Sequence, residues 1–164
     1  MQCWGYNGSG QVGDNSTLNR LTPVAVYGLS GVQAISLGSS HSCALLTNGV
    51  VNCWGYNGDG QLGNGSKTNS RIPVTSIGLD VGVSAISAGT YHTCAVLTTG
   101  ALSCWGYNAY GQLGNDSFVS SSTAVAVSGL ESGVSSVAAN YYHTCAVTNA
   151  GVAKCWGANY NGEL

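Results

Sequence analysis

The chain has 164 residues, a net charge of −2 and only 6% charged residues, against about 25% in a typical soluble domain. Its four basic residues lie far apart in the sequence, at Arg20, Lys67, Arg71 and Lys154. This spacing argues against the clustered cations that a nucleic acid or an anionic membrane surface requires. Apolar runs are short and none approaches the ~18 residues of a membrane-spanning helix. We therefore expect neither a nucleic acid partner nor membrane insertion.

A unit of about fifty residues recurs along the whole chain. Its first marker is the word CWG, which begins at Cys3, Cys53, Cys104 and Cys155. The second marker is a histidine two residues before a cysteine, which occurs at His41, His92 and His143. The third marker, GQVG or GQLG, follows the first three CWG words at a fixed distance. Self-similarity at such a period is the sequence signature of a repeat architecture.

Taken in chain order, the apolar runs between glycine-rich breaks predict short β-strands. The chain opens inside a unit with CWGYN and TPVAVYGL, and each later unit begins a new series of four runs. In the first complete series these runs are VQAISL, HSCALL, VNCWGYN and IPVTSIGL. Valine, isoleucine and threonine dominate, and no window has a helical apolar stripe with caps. Four strands per unit indicate an all-β chain of β-propeller blades, each with four antiparallel strands.

The word WGxNxxGQLG, inside the longer unit AISAGxxHTCAVLTTGALSCWGYNxxGQLGN, resembles the repeat of the regulator of chromosome condensation family. The resemblance covers the chain three times over and implies a seven-bladed β-propeller. We expect one repeat array over 1–164, forming roughly three blades of an incomplete propeller. The repeats are placed at 3–52, 53–103 and 104–154, with the start of a further repeat at 155–164. The third repeat departs from the pattern, since VAANYYH replaces ISAGxxH.

The cysteines are spaced so that they face each other across a hairpin. A three-residue turn at Thr98–Gly100, with the glycine left-handed, places Cys94 opposite Cys104. The same register recurs around Gly49 and Gly151, so the predicted disulfides are Cys43–Cys53, Cys94–Cys104 and Cys145–Cys155. Cross-strand neighbours lie ~4.5–5.5 Å apart at Cβ, which is close to disulfide reach. Cys3 is left unpaired.

Two other interpretations of these cysteines stay open at this stage. They could be buried free thiols, or they could join a histidine in a zinc site, although each unit offers at most three ligands and no CxxC. No metal site is assigned. Disulfides would indicate an oxidising compartment, meaning the extracellular space, the cell surface or the periplasm. Free thiols would instead favour the cytoplasm or the nucleus.

The recurring histidines and tryptophans are interpreted as structural. A catalytic base needs a nucleophile or an orienting acid nearby, and no unit supplies one at a fixed offset. We expect His41, His92 and His143 to be hydrogen-bonding groups near the propeller axis. The tryptophans are expected to pack between blades, at Trp4, Trp54, Trp105 and Trp156. The loop GYNGDGQLGNGS lacks the carboxylates of a calcium site and opens no helix, so no cofactor is assigned.

The sequence begins and ends at the same point of the repeat, in the hairpin that contains CWG. Three repeats do not close a ring of the family's size. We therefore expect a fragment of a longer repeat protein, with self-association through open blade edges as the alternative. The first residues, MQCWGYN, contain no signal peptide.

The sequence favours a non-enzymatic β-propeller scaffold that binds a protein partner through its rim loops. The candidate loops are the most variable ones, at 14–22, 65–72 and 116–123. Two alternatives are kept. One is a guanine-nucleotide exchange factor for a small GTPase, which the family resemblance implies, and the other is a structural segment for adhesion or matrix assembly.

Overall fold

The computed structural model describes residues 1–79 and 82–164, and in these ranges thirteen β-strands form four antiparallel sheets. Sheet 1 contains β1 (Gln2–Gly5) and β2 (Arg20–Ala25). Sheet 2 contains β3 (Val32–Leu37), β4 (His41–Leu46), β5 (Val51–Gly55) and β6 (Ser70–Thr75). Sheet 3 contains β7 (Val83–Ala88), β8 (His92–Leu97), β9 (Leu102–Gly106) and β10 (Ser121–Ala126). Sheet 4 contains β11 (Val134–Ala139), β12 (His143–Thr148) and β13 (Ala153–Gly157).

Sheets 2 and 3 are complete blades, and consecutive sheets pack face to face. Strand β7 lies against β3 and β4, and β11 lies against β7 and β8. Every residue of β9 is buried, whereas β13 in sheet 4 is largely exposed. A blade that is covered on both faces needs apolar or hydrogen-bonded side chains throughout, and this explains the run HTCAVL in β8. The predicted all-β blades of antiparallel strands are confirmed.

The strand ends differ from those predicted. The third strand of each blade stops at the glycine of CWG, before the tyrosine and asparagine, and Gly106 there has a φ of +106°. The fourth strand begins earlier than predicted, at Ser70 in sheet 2, and ends at Thr75. Its pairing with β5 contains an irregularity between Cys53 and Gly55. The Ser70 hydroxyl donates to the Ile72 carbonyl at 2.6 Å and so closes this bulge.

The sheets and the sequence repeats are out of phase. The repeat placed at 53–103 begins within β5 of sheet 2 and ends within β9 of sheet 3. Each repeat unit therefore supplies strands to two neighbouring blades. Within the described ranges, no helix is long and apolar enough to cross a bilayer.

The central hairpin of each blade has the register that the sequence predicts. Cys94 is directly opposite Cys104, Ala95 opposite Ser103, and Gly100 turns the chain with a φ of +81°. The structure contains three disulfides, and they join Cys43 to Cys53, Cys94 to Cys104, and Cys145 to Cys155. Their cysteines are therefore not available as zinc ligands. Cys3 is a free thiol, and burial raises its pKa.

We expect the disulfide of sheet 3 to stabilise the fold through loop closure. Replacing both Cys94 and Cys104 by alanine should lower the free energy of unfolding by roughly 3 kcal/mol, because a loop of ten residues regains its freedom in the unfolded chain. Urea denaturation measures the change, and Cys3→Ala is the control that should shift it by less than about 0.5 kcal/mol. Protein isolated from its source without reductant should also be six hydrogen atoms lighter than its reduced form. Full reactivity of the six paired cysteines with a thiol reagent in the folded protein would contradict the pairing.

Candidate protein-binding surface

Three of the four predicted tryptophans lie at the junctions between blades. At the junction of sheets 2 and 3, the main-chain carbonyl of Gln61 accepts two hydrogen bonds from the next blade. Trp105 Nε1 donates to it at 2.8 Å and Thr93 Oγ1 at 3.1 Å. The same pair of bonds recurs at the other two junctions, from Trp54 and Ser42 to Gln11, and from Trp156 and Thr144 to Gln112. The word GQxG is thus the acceptor loop for the following blade.

Two of the histidines join the second strands of neighbouring blades. His41 Nε2 lies 2.9 Å from Thr93 Oγ1, and the Thr93 proton is already donated to Gln61, so His41 Nε2–H is the donor. His92 contacts Thr144 in the same way at 2.8 Å. Burial lowers the pKa of His41 to about 4 and that of His92 to about 3, so both rings are neutral at physiological pH. His143 occupies the equivalent position at the start of β12 and is half-buried.

The tryptophans differ in their burial according to their neighbours. Trp54 and Trp105 are fully buried between sheets, and Trp156 is half-buried. Trp4, for which the sequence predicts the same packing, is 62% exposed. Trp4 makes no hydrogen bond of this kind within the described residues, so its packing between blades stays a prediction.

A buried asparagine shapes the connection between the third and fourth strands of each complete blade. In sheet 2, Asn57 Oδ1 accepts from the amide of Leu62 at 2.9 Å. Asn57 Nδ2 donates to the carbonyls of Ser66 and Thr68, both at 3.0 Å. Asn108 makes the equivalent bonds in sheet 3. These bonds brace the loop GYNGDGQLGNGS, which carries Asp59, from its inner side.

Six tyrosines gather at one end of sheets 3 and 4, and we call them the tyrosine patch. They immediately precede the second strand of a blade or follow its third strand, and they are Tyr91, Tyr107, Tyr110, Tyr141, Tyr142 and Tyr160. The turns of the disulfide-linked hairpins lie at the opposite end of the sheets. Tyr141 is 52% exposed and Tyr160 is 74% exposed, so the patch faces solvent.

Tyr142 is the centre of the patch. Its ring centroid lies 4.3 Å from that of Tyr141, 4.8 Å from that of Tyr110 and 6.0 Å from that of Tyr107. The rings of Tyr142 and Tyr91 are nearly parallel, with an interplanar angle of 14° and a centroid separation of 5.5 Å. Loss of hydration, followed by the Tyr141 hydroxyl, raises the pKa of Tyr142 to about 12. Its hydroxyl is therefore uncharged at physiological pH.

Asp59 completes a small pocket beside these rings. The pocket has a volume of about 220 Å³ and is lined by Asp59, Tyr91, Tyr107 and Tyr142. Asp59 Oδ2 accepts a hydrogen bond from Gln61 Nε2 at 3.2 Å. Three blades contribute to the pocket, since Asp59 follows β5, Tyr91 precedes β8 and Tyr142 precedes β12. A surface of this composition can bind a planar or cationic group of another molecule.

The tyrosine patch is absent from the sites predicted from the sequence. One signal was available, because Tyr91 and Tyr142 both stand immediately before the repeated histidine. The candidate loops 14–22, 65–72 and 116–123 belong to the connections between third and fourth strands, or run into the fourth strand. They lie at the same end of the sheets as the patch, since Ser121 of β10 pairs with Gly106 of β9 there.

Comparison with known families assigns the repeat. Two family models, both described as the regulator of chromosome condensation (RCC1) repeat, match the chain three times each. One covers residues 3–45, 48–96 and 99–147, and the other covers residues 32–61, 83–112 and 134–163. The chain belongs to the RCC1 repeat family. RCC1 repeats build a propeller scaffold for protein interaction, and the family models describe a repeat rather than a catalytic domain.

Two curated RCC1-repeat relatives match almost the full chain. The chain is 32% identical over 168 residues to the ultraviolet-B receptor UVR8 of Arabidopsis thaliana, which covers 100% of this chain and 38% of the receptor. It is 33% identical over 166 residues to the probable E3 ubiquitin-protein ligase HERC6 of Homo sapiens, which covers 98% of this chain and 16% of that protein. The chain thus spans well under half the length of these relatives.

Solved structures confirm the fold class. Yeast RCC1 (Prp20), solved bound to Kap60, superposes with a TM-score of 0.82 at 23% identity, over 95% of this chain and 39% of that protein. Human WBSCR16 superposes with a TM-score of 0.81 at 26% identity, over 93% of this chain and 41% of that protein. The RCC1-repeat chain described here is therefore a set of β-propeller blades.

We expect the close approach of Trp105 to Gly63 to be essential for the RCC1 blade junction. A Cβ at Gly63 would lie 2.7 Å from Trp105 Nε1, and the φ of Gly63 is +67°. Gly63→Ala should lower the free energy of unfolding by roughly 2–4 kcal/mol, because the indole must move away from the Gln61 carbonyl. The control is Gly129→Ala, which has a similar φ of +71° but open space around it, and should cost only about 1 kcal/mol. Equal losses of stability in the two variants would show that the positive φ causes the loss and that the contact with Trp105 does not.

We expect stability to fall in mild acid because of the two buried histidines. Their pKa values are depressed from 6.5 to about 4 and about 3, so the unfolded chain binds more protons between these limits. The contribution of the neutral, buried histidines to the free energy of unfolding is fully present above pH 6.5. It falls as the pH decreases toward 4, by up to about 1.4 kcal/mol per pH unit for each histidine. Urea denaturation between pH 7 and pH 4.5 measures the slope. His41→Gln should reduce the slope, and an unchanged stability from pH 7 to 5 would refute the prediction.

Proposed function

We propose that this RCC1-repeat chain is a non-enzymatic scaffold and that the tyrosine patch is the surface through which it binds another protein. The observation that carries this proposal is the gathering of six tyrosines from two adjacent blades at one end of the sheets. Tyrosine is enriched at protein interfaces, because it offers a large apolar area and a polar hydroxyl at a low entropic cost. A solvent-exposed cluster of this kind serves recognition better than stability.

The scaffold supports recognition by holding the patch rigid. Tyr107 and Tyr110 lie in the connection that Asn108 braces through buried hydrogen bonds, and Tyr91 and Tyr142 are each next to a junction histidine. Side chains fixed by rigid elements lose little entropy on binding. The position before His41 carries Ser40 in place of a tyrosine, so the six clustered rings belong to sheets 3 and 4.

We further propose that the protein works in an oxidising compartment, namely the extracellular space, the cell surface or the periplasm. Three hairpin disulfides support this location, because such bonds persist where thiols are not kept reduced. The mass of the protein isolated from its source without reductant tests this location. A fully reduced form would favour the cytoplasmic or nuclear alternative. The exchange-factor alternative is supported by the family resemblance alone, and the adhesion alternative by the repeat architecture alone.

We expect loss of the central tyrosine to weaken partner binding selectively. Immobilised protein with Tyr142→Ala should recover its partners from a native extract at least about tenfold less than the unmodified protein does, since a central aromatic contact contributes about 2 kcal/mol or more. Quantitative mass spectrometry measures the recovery. The control is Tyr27→Ala, which removes a tyrosine that is 58% exposed and lies outside the patch. Equal recovery with both variants, or equal loss with both, would refute the assignment of this surface.

A further inference from the structure

We propose that the pocket formed by Asp59, Tyr91, Tyr107 and Tyr142 binds the guanidinium group of an arginine side chain presented by the partner protein. This inference deepens the proposed function and rests on it, because three of the four residues belong to the tyrosine patch. Its basis is the juxtaposition of an unpaired carboxylate with three aromatic rings contributed by neighbouring blades.

The size of the pocket fits one side-chain head group. Small-molecule sites usually measure about 300–1,000 Å³, and this pocket measures about 220 Å³. Its walls are the rings of Tyr91, Tyr107 and Tyr142, whose centroids are 5.5–6.0 Å apart. Rings at this separation are in contact with one another, so a rounded, fully substituted ammonium has no room between them. A flat group can instead lie against their exposed faces and edges.

The charge in the pocket favours a cation. Asp59 Oδ2 accepts from Gln61 Nε2, whereas Asp59 Oδ1 accepts no hydrogen bond within the part of the chain that the structure describes. In those same residues the one ion pair joins Arg20 to Asp14 and leaves Asp59 without a cation. Aromatic faces attract cations, and a carboxylate matches the fork of guanidinium N–H donors. Arginine combines a planar, weakly hydrated cation with that fork, which lysine lacks.

The blade scaffold does not require an acid at this position. The residue equivalent to Asp59 is Ser9 in the first repeat and Tyr110 in the third. In the third repeat, Gln112 Nε2 is buried without a hydrogen-bond partner. The equivalent nitrogen of the second repeat, Gln61 Nε2, donates to Asp59. The loop keeps its shape without the carboxylate, since Gln112 Oε1 still accepts from the amide of Tyr110 at 3.1 Å. The shape of the loop therefore does not require the carboxylate, and Asp59 Oδ1 is left available to a ligand while Oδ2 satisfies Gln61.

A titration with small probes tests this inference independently of any partner. We expect Nα-acetyl-arginine amide, followed by backbone amide chemical shifts, to perturb Asp59, Tyr91, Tyr107 and Tyr142 with a dissociation constant in the millimolar range. Nα-acetyl-citrulline amide has the same shape without the charge and should bind about tenfold more weakly or worse. Nα-acetyl-lysine amide should bind several-fold more weakly than the arginine probe.

Two variants locate the charge that is recognised. Asp59→Asn keeps the size of the side chain and should abolish the preference for arginine over citrulline. Asp116→Asn is the control, because Asp116 is exposed outside the pocket and its positive φ of 55° suits asparagine, so it should leave the preference unchanged.

Three results would overturn the inference: equal binding of arginine and citrulline, lysine binding as tight as arginine, or shifts that fall outside the pocket. If any of these occurs while Tyr142→Ala still reduces partner recovery, the arginine pocket is wrong and the tyrosine patch stands. If Tyr142→Ala leaves partner recovery unchanged, the proposed function itself fails.

Discussion

The carbonyl of the glutamine in GQxG is the group on which the blade assembly depends. It accepts one hydrogen bond from a buried indole and one from a hydroxyl, and both donors belong to the next blade. The glycine two residues later must lack a side chain so that the indole can approach. Propeller blades otherwise meet through apolar faces, which attract one another without fixing an orientation. The directional bonds at each junction set how one sheet is placed on the next.

The junction also explains the composition of the strands. The histidine and threonine beside the disulfide can be buried because their polar groups are hydrogen-bonded. His41 Nε2 donates to the Thr93 hydroxyl, which donates in turn to the Gln61 carbonyl. Buried polar groups are stable when they are paired in this way. The disulfide braces the hairpin that carries both the threonine and the tryptophan, so covalent and hydrogen-bonded constraints act on the same two strands. The same two strands therefore stabilise their own blade and fix its position against the neighbouring blade.

The proposed recognition surface uses positions that the junction leaves free. The residue before each histidine takes no part in the hydrogen bonds of the junction, and it differs between repeats. Serine stands at one such position and tyrosine at two others. Neighbouring blades bring these positions together at one end of the sheets, and the pocket beside Asp59 draws on three blades at once. In this proposal the repeat architecture supplies a binding surface through positions that its blades do not need for packing.

The blade, its hairpin register and the three cysteine pairs could be predicted from the sequence, because spacing within a hairpin fixes which residues are opposite. The regular recurrence of tryptophan pointed to packing between blades, and Trp54 and Trp105 are buried there. The strand ends, the acceptor of each indole and the tyrosine patch became apparent only in the folded chain. Tyr91 and Tyr142 are 51 positions apart in the sequence, and their rings become neighbours only when two blades pack side by side. Pairing within a hairpin follows from the spacing of residues in the sequence, whereas contacts between blades depend on how whole sheets are oriented.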